Sequence, residues 1–340
     1  MKKIVITSVL SRNGQNAGSK AKNDDRNILV NSGFTPLDIV VPANRIKKLL
    51  FSKNDIPKII GKNNACEYII QYPLYSMVVI KNVIKNIRLT NENSKIILLI
   101  HDVEALRQRR GDKAFATKEV RIFNKADGII VHNLSMKNYL KDAGVRVPMV
   151  EQNLFDYLND VSIKGNKNYN KEVCFAGNLS KAGFLNKLRF NKVHLNVYGT
   201  PQPSKIYKEG VFYKGAFDPD ELPKYLEGNF GLVWDGDSSK TNTGVFGEYT
   251  RFNSPHKTSL YLSTGIPVIV WDEAGIAPFI HENKLGIVVD RIDNLDKTLS
   301  KISPKEYRSI KNSVRNYAQK IRRGENLLNA VNKIEMLFSK

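Results

Sequence analysis

The stretch Gly244-Val-Phe-Gly-Glu-Tyr-Thr-Arg-Phe-Asn-Ser-Pro-His-Lys-Thr-Ser-Leu-Tyr-Leu-Ser-Thr-Gly-Ile-Pro-Val-Ile-Val270 decides how the chain is read. Ser254 is a good helix N-cap and Pro255 fits the first helical position, which predicts a helix beginning there with His256, Lys257 and Thr258 in its first turn. Gly265 ends it. The run 266–271 then reads as a short buried strand, with Pro267 confined to its start. A helix N-terminus offers unbonded N–H groups and the positive end of the macrodipole, and a lysine and a histidine beside it suit a diphosphate. The same residues also fit an ordinary surface helix whose Lys257 is solvated.

Outward from this stretch, composition bounds the answer. The chain has 340 residues, 41% hydrophobic and 25% charged, enough for two globular domains that each bury a core. Cys66 and Cys174 lie far apart in apolar runs and match no metal-ligand spacing, so they read as buried thiols of a reducing, cytoplasmic compartment and no metal is expected. Lys2-Lys3 followed by the apolar run 4–10 has the outline of a secretory leader, but Ser11-Arg12-Asn13 breaks it without a small-residue cleavage site. The run reads as the first strand. No stretch reaches the length of a membrane span.

The formal charge of +20 calls for an acidic partner. Residues 301–340 hold ten Lys or Arg against three acids, interleaved with Ile310, Val314, Ile321, Leu327, Val331 and Ile334, which predicts amphipathic helices with a basic outer face. That face is either solvated or a peripheral contact with an anionic membrane. A nucleic-acid partner is not expected, because helix-turn-helix, zinc and aromatic ribonucleoprotein motifs are missing. Self-association into a homo-oligomer stays open.

Residues 4–9, 37–41, 68–71, 96–101 and 128–132 are short apolar runs without polar alternation, as in strands covered on both faces. Segments 76–89, 103–124 and 134–143 between them read as helices. This alternation predicts an α/β chain with a doubly wound parallel sheet, whose working crevice lies beyond the carboxyl ends of the strands. Those ends carry polar residues: the amide- and glycine-rich loop with Asn13, Gly14 and Asn16, then His101-Asp102, then His132-Asn133. Asp102 is either a helix N-cap or a chemical group, and His132-Asn133 reads as a turn or cap. The polar segment 156–170 marks a linker, after which strands at 171–175, 192–197, 211–214 and 230–234 and a helix at 218–227 resume the pattern. The predicted domains are 1–155 and 171–311, with a C-terminal helix of about 312–340 joining the first.

Two doubly wound domains with glycine loops at their strand ends build a cleft, and specific segments say which kind. Phe175-Ala-Gly-Asn-Leu, Val197-Tyr-Gly, Gly231-Leu-Val-Trp-Asp-Gly-Asp, Ile100-His-Asp-Val, Phe123-Asn-Lys-Ala-Asp and above all Asn253-Ser-Pro-His-Lys-Thr-Ser-Leu-Tyr-Leu-Ser-Thr-Gly-Ile-Pro-Val are similar to a bacterial glycosyltransferase family. That family has the GT-B architecture of two Rossmann-like domains with a cleft between them. It contains β-galactofuranosyltransferases of surface-polysaccharide synthesis and the streptococcal glucosyltransferases that extend glycan on serine-rich adhesins. The resemblance covers nearly the whole chain.

It implies a UDP-sugar donor on the C-terminal domain and a glycan, lipid-linked or glycoprotein acceptor on the N-terminal one. Lys257 then faces the diphosphate with Lys181 assisting, Tyr198 and Gly199 border the base and ribose, and Asn178, His256 and Thr258 complete the donor side. Fixed cations and helix N–H groups can stabilise a departing nucleoside diphosphate without a metal or cofactor. Asp235, Asp237 and Glu248 are either hydrogen-bond partners of sugar hydroxyls or turn formers. Leu260 stands where retaining members of the architecture place the second of two glutamates seven residues apart, which favours inversion. Inversion needs a base for the acceptor hydroxyl, and the candidates are Asp102 and His101, with Glu248 a third. Trp234-Asp-Gly-Asp-Ser and Gly247-Glu-Tyr are closer to the galactofuranosyl members.

Overall fold

The computed structural model describes residues 2–9, 17–165, 168–204 and 206–338. They form two compact units by packing, residues 1–152 with 327–340, and residues 153–326.

In the first unit, β1 (Lys3–Val9), β2 (Thr35–Val40), β3 (Glu67–Tyr72), β4 (Lys95–Ile100), β5 (Gly128–Val131) and β6 (Met149–Glu151) make one parallel sheet in the order β2-β1-β3-β4-β5-β6. Its crossovers are α1 (Ala17–Asn31), α2 (Arg45–Leu50) with α3 (Ile56–Gly61), α4 (Met77–Thr90), α5 (Lys113–Phe123) and α6 (Leu134–Asp142). Val5, Ile69, Ile97 and Gly128 lie side by side in register. The centres of the inner strands, residues 4–6, 68–70, 96–100 and 129–131, are apolar and buried because helices cover both faces.

The second unit repeats the plan with β7 (Glu172–Asn178), β8 (His194–Thr200), β9 (Val211–Tyr213), β10 (Phe230–Val233), β11 (Val268–Trp271) and β12 (Gly286–Val289). Their order is β12-β11-β10-β7-β8-β9, again all parallel. The helices are α7 (Leu222–Tyr225), α8 (Gly244–Tyr249), α9 (His256–Ser263), α10 (Ala277–Glu282), α11 (Leu295–Ser300) and α12 (Pro304–Arg322). The last helix, α13 (Glu325–Phe338), returns to the first sheet, where Ile334 occupies the space a side chain on Gly128 would need. The buried faces of α12 and α13 are the apolar positions expected, among them Val314, Ile321, Val331 and Ile334. No described helix is long and apolar enough to cross a membrane.

The structure corrects several expectations. The helix foreseen over 103–124 begins only at Lys113, capped by Asp112, whose Oδ1 accepts from Phe115 N at 2.9 Å. The buried Glu119 carboxylate takes the N–H groups of Glu104 and Ala105 at 3.0 Å each, and Gly111 turns the chain at φ +85°. The 218–227 helix is reduced to α7, because Glu227 N donates to Tyr198 Oη. Segment 156–170 is no free linker. Ser259 Oγ donates to Phe155 O at 2.7 Å, Asn159 Nδ2 to Ser263 Oγ at 2.8 Å and Lys164 N to Thr264 O at 3.0 Å, so this strap runs along α9. Helix α12 belongs to the second unit, packed on α9, and the crossing back comes at Leu327 rather than near 312. Cys174 is buried as expected, whereas Cys66 is half-buried.

One glycine positions α9. On β10 a side chain at Gly231 would enter the Tyr261 ring. With glycine there, the ring lies against the sheet and Tyr261 Oη reaches both β7, accepting from Ala176 N at 2.7 Å, and Leu232 O at 3.3 Å. Gly231→Ala is expected to cost about 1–3 kcal/mol by overpacking. Urea denaturation with an unchanged midpoint would count against this account.

Candidate active site

In a doubly wound sheet, a crevice opens at the carboxyl edge where strand order reverses. In the second unit that point lies between β7 and β10, and Lys257 stands there. Its Nζ donates to Trp234 O and to Asp235 Oδ2, both at 2.9 Å, and sits 4.9 Å from the Phe175 ring centroid. It lies 3.9 Å from where a side chain on Gly177 would begin. The half-buried ammonium is thus fixed at the end of both central strands. Ser254 does not cap this helix as expected: its Oγ donates to Asn153 O at 2.6 Å, and Pro255 is the capping residue, with no side-chain bond.

The other donor-side candidates divide. Asn178 caps the turn after β7, accepting from Ser180 N at 3.0 Å. Lys181 extends from that turn over the Phe246 ring, 3.6 Å from its centroid, and Lys181 O accepts from Gly236 N at 2.9 Å. The loops after β7 and β10 are therefore tied together. Gly199, paired in register with Gly177, needs its missing side chain: φ is +142° and a Cβ would collide with Gly177 O. Glu248 on α8 bonds Arg251 Nε at 3.1 Å, and Arg251 also pairs with Glu273 and covers the Trp271 ring at the end of β11.

Three candidates face elsewhere. Tyr198 is buried, its hydroxyl accepting from Glu227 N at 3.2 Å, so only its backbone reaches the edge. Burial raises its pKa well above the usual phenol range. His256 lies against Tyr157, with ring centroids 4.9 Å apart, and against Phe155 at 5.9 Å. Thr258, in the first turn of α9, is fully buried. Spacing in the sequence placed His256 and Thr258 in the first turn but could not tell which side of the helix the strap covers.

In the first unit, strand order reverses between β1 and β3, and Lys22 of α1 stands at that point. Its Nζ donates to Ser8 Oγ at 2.9 Å and to Pro73 O at 2.6 Å and lies 4.4 Å from the Tyr75 ring centroid. Burial drives its pKa down to about 7, against the opposing pull of Asp102. His101, at the end of β4, is buried with Nε2 3.4 Å from Asp25 Oδ2 of α1. Asp102 is not a helix cap; its carboxylate pairs with Arg107 Nη1 at 3.0 Å. Asn133 caps α6 as foreseen, and His132 beside it is buried, its Nε2 3.0 Å from Ile100 O and its pKa pushed to about 4 by burial. Lys22 and Asp25 were missed. Their signal was present, as charged residues three apart on the stripe of α1 that also holds Ala21, Ile28 and Leu29. Asn13, Gly14 and Asn16 lie outside the described residues.

These geometries can now be set beside known proteins. The glucosyltransferase 3-like C-terminal domain matches residues 173–334, and the glucosyltransferase 3-like N-terminal domain matches residues 3–154. The chain belongs to the glucosyltransferase 3-like family. It is 35% identical over 236 residues to the β-1,6-galactofuranosyltransferase WbbI of Escherichia coli K12, covering 68% of each chain. It is 25% identical to glucosyltransferase 3 of Streptococcus parasanguinis, over 95% of this chain and 94% of that one. Among solved structures it resembles Anabaena HepE in complex with UDP-glucose, with a TM-score of 0.61, 12% identity and complete coverage of both chains. The trehalose-6-phosphate synthase OtsA gives a TM-score of 0.59 at 8% identity, over 98% of this chain and 99% of that one. The fold of this glucosyltransferase 3-like chain is GT-B, and the chain is a glycosyltransferase.

The Lys22 site makes a prediction about pH. Between the folded value of about 7 and the unfolded value of 10.5, the unfolded chain holds a proton that the folded chain has released. Stability therefore rises with pH across that window and loses this contribution as pH falls towards the folded value. Relative to Lys22→Met, wild type should gain in urea midpoint between neutral and mildly alkaline pH. Parallel profiles would remove Lys22 as the cause.

Proposed function

We propose that this glycosyltransferase moves a hexose, galactofuranose in our reading, from a UDP-sugar to a growing surface glycan with inversion and without a metal. The observation that carries the donor half is Lys257, fixed at the strand-order reversal of the second sheet. There its ammonium and the positive end of the α9 dipole meet the diphosphate, with Lys181 on the adjoining loop. Asp235 balances the ammonium in the free protein. On donor binding the diphosphate takes over part of that balance and leaves Asp235 to a sugar hydroxyl. Galactofuranose is supported by the greater identity to WbbI than to the streptococcal glucosyltransferases.

In the reaction, the acceptor oxygen forms its bond to the anomeric carbon opposite the departing group. The bond from that carbon to the β-phosphate oxygen breaks, and UDP leaves with the electron pair. The acceptor proton passes to a base. We assign that base to His101, whose imidazole sits at the end of β4 with Nε2 3.4 Å from the buried Asp25 carboxylate, a charge that favours the protonated ring formed when the base takes the proton. Asp102, shared with Arg107, takes the positioning role.

UDP is expected to raise the melting temperature, since a hundredfold excess over the dissociation constant contributes roughly 2.7 kcal/mol. Lys257→Ala should remove most of that shift; equal shifts in both proteins would refute the diphosphate site. His101→Asn should lower kcat by about 100-fold or more while leaving the UDP-induced shift intact, and Asp102→Asn should cost less. Rates with UDP-galactofuranose, UDP-galactopyranose, UDP-glucose and UDP-N-acetylglucosamine decide the donor, and preferred turnover of a pyranose overturns the furanose assignment alone.

A further inference from the structure

Helix α2 opens an unbroken helical run that continues through a π-helical turn, Phe51–Asp55, into α3, and only the later part of that run, at Ser52, Ile56 and Ile60, is buried. None of the residues of α2 is buried, yet it is well formed: Asn44 Oδ1 caps it, accepting from Ile46 N at 2.8 Å and Lys47 N at 3.2 Å. It exposes Ile46 at 70%, Leu49 at 45% and Leu50 at 53%, and it packs near α4, whose first turn exposes Val78. The group is anchored from below, since buried Ser52 donates to Val78 O at 3.1 Å and accepts from Asn82 Nδ2 at 2.8 Å. It lies at the carboxyl edge of the first sheet, the edge that carries Lys22 and His101.

Charge selects the occupant. Residues 41–66 carry six basic side chains, Arg45, Lys47, Lys48, Lys53, Lys58 and Lys62, against one acid, Asp55. A second copy of this chain, seated across a two-fold axis, would bring the same cations face to face. A protein partner wants a core depleted of charge. Large aliphatic side chains ringed by Lys and Arg on a short surface helix suit the interface of an anionic bilayer.

We propose that α2 and the adjoining start of α4 are a membrane-docking surface, with Ile46, Leu49 and Leu50 entering the interface of an anionic bilayer and Arg45, Lys47, Lys48 and Lys53 over its headgroups. The C-terminal helices differ: α12 spends its apolar face on the core, and α13 exposes Met336 and Leu337 but carries one cation, Lys333. The surface does not depend on the sugar transferred. Only its consequence, a lipid-linked acceptor presented at the first sheet, rests on the glycosyltransferase reading.

The full chain is sedimented with phosphatidylcholine vesicles, with and without phosphatidylglycerol, at low and high salt. Wild type should bind the anionic vesicles at low salt. Ile46→Ser/Leu49→Ser/Leu50→Ser should lower partitioning by about tenfold or more, and Lys47→Gln/Lys48→Gln/Lys53→Gln should weaken it and flatten its salt dependence. Arg308→Gln/Arg315→Gln/Lys320→Gln on α12 should change it by less than about twofold. A Leu49→Trp variant reports insertion as a blue shift in emission. The UDP-induced melting shift, read on every variant, shows separately that each is folded and whether the donor reading holds. The proposal is overturned if wild type ignores anionic vesicles, if the α12 variant loses binding while the α2 variant keeps it, if Trp emission does not shift, or if the apolar variant abolishes a dimer instead.

Discussion

The second unit depends on a single placement, that of a lysine ammonium at the end of two central parallel strands. A cation in the first turn of a helix opposes the helix dipole, and partial burial adds a desolvation cost. Trp234 O and Asp235 offset both, and the surrounding architecture keeps them in place. Gly231 admits Tyr261, Tyr261 Oη pins α9 to β7, and the strap 153–165 with α12 presses α9 from outside. Buried Lys311 and half-buried Arg322 of α12 satisfy the carbonyls of Gly265 and Ser263 at the other end of the same helix. The site is preorganised in the sense that its charges are aimed before a ligand arrives.

The first unit solves a similar problem with different residues. At its own strand-order reversal Lys22 bridges β1 and the residue after β3, and Asp25 one turn along α1 holds His101. Such a cluster needs a rigid floor. Glu119 supplies part of it, accepting from Tyr72 Oη at 2.7 Å and from two backbone N–H groups, which fixes the turn that carries Asp102 and Arg107. Burial pushes the Glu119 carboxyl above its ordinary range, while its three donors pull the other way. A fully satisfied buried carboxylate of this kind specifies one arrangement of the loop.

The two basic regions of the chain have different physical standing. On α12 the cations ride over a helix whose apolar stripe is buried, so they are consistent with solubility and substrate attraction. On α2 the apolar residues themselves are exposed, at the solvent end of a helical run whose later part, Ser52, Ile56 and Ile60, is buried.

The sequence by itself determined the strands, because a strand covered on both faces shows as an uninterrupted apolar run, and their alternation with helices determined the doubly wound plan. It also placed Lys257 in the first turn of its helix, since Pro255, Gly265 and the strand from Val268 frame that helix. Tertiary structure alone decided the rest. Segment 156–170 is polar, yet its backbone groups find partners along α9, and composition does not distinguish that from a solvated linker. Tyr198, His256 and Thr258 turned inward because neighbours distant in the chain cover them. Lys22 and Asp25 became a site only when α1 was laid across the ends of β1, β3 and β4, for a charged residue in a helix reads as solvated until the fold buries it.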